Sequence, residues 1–90
     1  MTGKDVLKLL LISYGFSKIK IETYRGHDNF QGYKIHASNN EGKEYYEENC
    51  EGLMFNISNI NYNMKCMNIE PVFGNINGGE YTIKELLKMY

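Results

Sequence analysis

The sequence has no tryptophan, a single proline at Pro71, only two cysteines and no apolar run long enough to cross a bilayer. Each shortage excludes something. Two cysteines, Cys50 and Cys66, are too few for the dense disulfide framework of a small secreted domain. They also lack the four clustered ligands of a structural zinc site, so both are expected as free thiols and no metal is expected. The apolar run from Val6 to Ile12 is interrupted by Lys8 and preceded by Asp5, which suits a helix and not a membrane span. No signal-peptide pattern is visible, so the expectation is a cytoplasmic protein without membrane contact. Charge of one sign is also missing. Ten basic residues stand against eleven acids, a net charge of -1, which excludes an ordinary polybasic nucleic-acid binder.

What remains is a chain of 90 residues, 42% hydrophobic and 23% charged, enough apolar content for one small folded domain over residues 1–90. The first element reads as a helix. Thr2-Gly3-Lys4-Asp5 has the form of a capping box, Val6, Leu7, Leu10, Leu11 and Tyr14 fall on one face, and Gly15 suits the position after a helix end. From Ser17 to Tyr24 the pattern alternates: Ile19, Ile21 and Thr23 point one way, Lys18, Lys20, Glu22 and Tyr24 the other. Arg25 to Asn29 reads as a turn. Phe30 to Ser38 is a partner strand with Tyr33, Ile35 and Ala37 inward and Gly32, Lys34 and His36 opposite.

The middle is read as a polar helical turn or exposed loop over 43–51. An alternating strand is expected at Leu53–Ile57, a turn at Asn59-Ile60-Asn61, and another strand from Tyr62 towards Ile69. Pro71 must end pairing or sit at an edge. Thr82-Ile83-Lys84-Glu85 is a second capping box, followed by the stripe Ile83, Leu86, Leu87 and Tyr90 of a closing helix. The predicted class is α+β: an N-terminal helix, an antiparallel sheet of three to four strands and a C-terminal helix, both helices on one sheet face.

The small net charge is a cancellation. Residues 1–34 carry six basic groups against three acids, and residues 35–90 carry four lysines against eight acids. Five of those acids, Glu41, Glu44, Glu47, Glu48 and Glu51, lie in one segment with Tyr45 and Tyr46. Such a segment serves either as a solvated face or as a docking patch, in which carboxylates steer association and tyrosines anchor it. The partner it suits is a host protein with a basic nucleic-acid-binding surface. The opposite sign falls on the first hairpin, where Lys18, Lys20, Tyr24, Lys34 and His36 share one strand face and could hold a phosphate backbone and stack bases.

No nucleophile elbow, phosphate loop or metal-ligand spacing is present, and no cofactor is implied. The candidates for acid–base chemistry are His27, in a Gly-His-Asp turn, and His36. The leading functional reading is therefore a non-enzymatic binding protein. Its Asn-, Ile-, Tyr- and Lys-rich composition suits an AT-rich genome, and so a phage or mobile-element inhibitor of a host nucleic-acid-acting complex, of the anti-CRISPR kind.

The opening Met1 to Leu10, followed by Gly15-Phe16, resembles the start of HicA-type toxins. Pro71 to Asn75, followed by Tyr81 to Lys88, resembles their last strand and helix. The resemblance implies a small α-β-β-β-α fold similar to double-stranded-RNA-binding domains, and mRNA cleavage by a histidine after a glycine turn. Gly26-His27 is the nearest match to that motif and lacks its serine, and the segment from about Asn40 to Met64 has no counterpart. On this alternative reading His27 is the general acid–base and Lys18, Lys20 and Lys34 contact RNA.

Overall fold

The computed structural model describes residues 2–25, 31–71, 75–76 and 79–80. Helix α1 (Gly3–Ser13) begins on the expected capping box: the Asp5 carboxylate accepts from the Thr2 N–H at 3.1 Å, and Thr2 Oγ1 accepts from the Asp5 N–H at 3.2 Å. It ends on a Schellman motif. Phe16 N–H reaches back to the Leu11 carbonyl and Gly15 N–H to that of Ile12, with Gly15 at φ +91° where a side chain would be strained.

Strands β1 (Lys18–Arg25), β2 (Gln31–Ser38) and β3 (Glu44–Asn49) form one antiparallel sheet in the order β1-β2-β3. The register aligns Ile21 with Ile35 and Ala37 with Tyr45, so one face carries Ile19, Ile21, Tyr33, Ile35, Ala37 and Tyr45. That face packs with Leu7, Leu10, Leu11 and Phe16 on one side and with Ile60 and Met64 of helix α2 (Leu53–Cys66) on the other. Both helices thus share the buried face of the sheet, and the class is α+β as the sequence predicts. A short separate hairpin, β4 (Asn75–Ile76) and β5 (Gly79–Glu80), follows.

Two assignments change. Residues 44–49 are a strand, not a helical turn or loop. Asn39 makes this possible: its side-chain oxygen accepts the N–H groups of Glu41 and Lys43, closing a tight connection that returns the chain beside β2. Residues 53–66 are a helix, not two strands. The alternation of Leu53, Phe55 and Ile57 is overridden by Leu53, Ile57, Ile60 and Met64, whose spacing of four, three and four lines one helical face. This helix ends like the first: Ile69 N–H bonds the Met64 carbonyl, Asn68 N–H bonds that of Lys65, and Asn68 takes the left-handed position at φ +57°.

The described elements up to Cys66 run helix, three strands, helix, and α2 falls in the segment that has no counterpart in the HicA resemblance. The helix read at Thr82–Tyr90, and most of the C-terminal segment that carries the HicA resemblance, lie outside the described residues.

Candidate functional site

The sheet has a second face, turned away from both helices. Strand alternation and the register set it out in rows: Lys18, Ser38 and Glu44; then Lys20, His36 and Tyr46; then Glu22, Lys34 and Glu48; then Tyr24 above Gly32. Cations dominate the β1 side and carboxylates the β3 side. One ring comes from each strand: Tyr24 from β1, His36 from β2 and Tyr46 from β3. Tyr46 is 58% exposed and Tyr24 39%.

Local contacts hold these groups in place. His36 Nε2 is 3.3 Å from Glu44 Oε1, and its ring meets that of Tyr46 edge to face with centroids 6.3 Å apart. The Tyr46 hydroxyl donates to Glu48 Oε2 at 2.9 Å. That bond, with partial desolvation and the nearby Glu48, Glu22 and Tyr24, raises the Tyr46 phenol above its ordinary value, so it is a neutral donor at physiological pH. Lys20 Nζ lies 3.4 Å from Glu22 Oε1 along β1. Tyr24 lays its ring across Gly32 so closely that a β-carbon there would stand 2.3 Å from the ring edge. Only glycine leaves room for that ring.

The structure therefore redistributes the acidic segment. Glu44, Tyr46 and Glu48 face outwards. Tyr45 and Glu47 face the helices: Tyr45 is buried, and its hydroxyl accepts from Asn63 Nδ2 at 3.2 Å. Burial raises its phenol as well. Glu47 is half-buried and accepts from Asn59 at 2.7 Å and from Asn49 at 3.1 Å. Glu41 lies in the β2–β3 turn and Glu51 beyond the end of β3, both exposed.

By contrast, Lys18, Lys20, Tyr24, Lys34 and His36 do share one face, as the sequence reading of the first hairpin requires. That reading placed Glu22 on the face but missed Glu44 and Glu48 of β3 beside it. The even-numbered alternation Glu44, Tyr46, Glu48 was the signal available. His27 lies outside the described residues.

A shallow depression of about 350 Å³ opens at one end of this face, lined by Lys18, Lys20, His36 and Ser38 with Ile19 and Ala37. Among the described residues no three His, Cys, Asp or Glu side chains converge to hold a metal ion, and both cysteines are free thiols. Among the same residues no helix is long and apolar enough to cross a membrane. Neither a protein-family model, nor a curated protein, nor a solved structure matches this chain.

Proposed function

We propose that this chain is a small binding protein that docks a protein partner through the open face of its sheet. The observation that carries the reading is one open face that bears exposed Tyr24 on β1, His36 on β2 and Tyr46 on β3 among lysines on the β1 side and carboxylates on the β3 side. Aromatic groups fixed at the centre of a polar, charge-patterned surface are the usual anchors of a protein interface. Glu44, Tyr46 and Glu48 form the docking half that faces a basic surface. A partner with a basic nucleic-acid-binding groove fits it, and occupying that groove makes this protein a competitor of the nucleic acid.

Direct nucleic-acid binding by the same face is the weaker use. Lys18, Lys20 and Lys34 are matched by Glu22, Glu44 and Glu48, which cancels the counterion release that drives phosphate binding. The test is affinity capture from cells of the source organism with three baits: wild type, Tyr46→Ala with Glu48→Lys, and a control change at Tyr62 on α2. A protein held by wild type and control but lost by the face variant supports the proposal. Equal capture by all three, or binding of a single-stranded RNA oligonucleotide at physiological salt without any protein partner, overturns it.

A further inference from the structure

We propose that β1 is an assembly edge, and that two copies of this chain join by antiparallel pairing of their β1 strands about Ile21 into one six-stranded sheet. Among the described residues β1 pairs only with β2, which leaves its other edge with unpaired backbone groups over Lys18–Arg25. Monomeric proteins ordinarily guard such an edge by keeping it short, by proline, by a bulge or by charges that repel a second strand. This edge is eight residues long and contains no proline. Its charges do not repel a second copy in one particular register.

The register follows from two conditions. Opposed residues of an antiparallel pair lie on the same face, and only every second residue of an edge turns its N–H and C=O outward. Both conditions pair even positions with even and odd with odd. When the two-fold axis passes through Ile21, Lys20 opposes Glu22 of the second copy, and Glu22 opposes its Lys20. Lys18 opposes Tyr24, Ile19 opposes Thr23, and Ile21 meets Ile21.

Neighbouring registers lose this match. Centring on Lys20 sets ammonium against ammonium on the axis, centring on Glu22 sets carboxylate against carboxylate, and centring on Ile19 sets Lys18 against Lys20. Opposite charges directly across a strand pair stabilise it and like charges oppose it, so of the registers centred on residues 19 to 23 only that on Ile21 sets lysine against glutamate without a like-charge pair.

The chain alone shows the same affinity between these groups. Lys20 and Glu22 already lie 3.4 Å apart within one strand, with side chains 76% and 52% exposed, so exchange for the second copy's groups needs no core rearrangement. On the helix side, half-buried Ile19 and exposed Thr23 gain cover from each other across the seam. The interface is isologous and closes as a dimer, without open-ended growth. Its backbone pairing uses the edge of the sheet, while Lys18, Lys20, Glu22 and Tyr24, which it brings together across the seam, also belong to the open face.

Sedimentation velocity of the full chain, from micromolar to millimolar concentration, tests this with charge exchange. Wild type is expected to dimerise. Lys20→Glu and Glu22→Lys each create two like-charge contacts across the axis and weaken association by about tenfold or more. The double exchange Lys20→Glu with Glu22→Lys restores it. An equimolar mixture of the two single variants forms a heterodimer where each alone stays monomeric, because the two variants then present opposite charges to each other. Far-UV circular dichroism verifies that these exposed changes leave the fold intact. A wild type that is monomeric at millimolar concentration overturns the proposal. So does a dimer unaffected by either single exchange, and so does failure of both the double variant and the mixture to associate.

Discussion

Asn49 and Asn56 hydrogen-bond each other twice: Asn49 Nδ2 donates to Asn56 Oδ1 at 3.1 Å, and Asn56 Nδ2 donates to Asn49 Oδ1 at 3.0 Å. The pair is the end rung of a ladder. Asn59 serves Glu47 and Asn63 serves Tyr45, so the three inward residues of β3 are each met by an asparagine of α2. Apolar contacts tolerate a helix sliding on a sheet. Directional bonds do not, and this ladder fixes where α2 sits along β3.

Asn56 is fully buried and also donates to the Gly52 carbonyl at 2.7 Å, so it ties the start of α2 to the end of β3. Asn56→Ala is expected to lower stability by about 3 kcal/mol, because it removes the two bonds with Asn49 and the one to the Gly52 carbonyl and leaves a small cavity. Asn59→Ala, at a half-exposed rung, should lower it by only about 1 kcal/mol. Urea unfolding of the two variants checks the ranking, and equal losses would remove the special place given to Asn56.

Gly32 and Tyr24 are coupled through space. Gly32→Ala alone forces the Tyr24 ring off the sheet and is expected to destabilise by about 1 kcal/mol. With Tyr24→Ala already present the same change should be neutral or slightly stabilising, since alanine suits a strand better than glycine. A double-mutant cycle by chemical denaturation reads the coupling. Additive effects would mean that the ring does not need the glycine.

Asn68 holds a left-handed conformation at the end of α2, the counterpart of Gly15 at the end of α1. Asn68→Gly should be neutral to mildly stabilising. Asn68→Val should lower stability by about 1 to 2 kcal/mol, because a β-branched residue is strained at this φ. Thermal unfolding followed by circular dichroism distinguishes the two directions.

The Asp5 carboxyl is held below its ordinary value of 3.8, chiefly by the hydrogen bond from the Thr2 backbone and then by the Thr2 hydroxyl. A carboxylate lowered in the folded state adds stability that is full above the ordinary value and is lost as pH falls through the lowered one. Stability should therefore decline below about pH 4 in part through Asp5. Asp5→Asn should flatten that part of the acid arm in a series of denaturant midpoints measured against pH. An unchanged arm would show that the cap contributes nothing there.

Much of this architecture is legible in the residues themselves. The cap, the apolar face and the Gly15 stop of α1, and the alternation of β1 and β2, follow from local chemistry alone. The misread part is the one where local preference and tertiary contact disagree. Asparagine at 56, 59, 61 and 63 is a poor interior helix residue, and three of these four are met by side chains on β3, a strand hidden by its own polarity. The candidate site suffered from the same gap. Without β3 in the sheet, Glu44, Tyr46 and Glu48 could not be set beside Lys18, Lys20, Lys34 and His36.

The alternation of β3 divides one short segment into two independent sets of duties. Tyr45, Glu47 and Asn49 are tied to the asparagines of α2 and cannot change without loosening the helix. Glu44, Tyr46 and Glu48 touch nothing in the core, and their replacement leaves the ladder standing. The chemistry of this outer face can thus be rewritten one outward residue at a time, on a scaffold that stays the same.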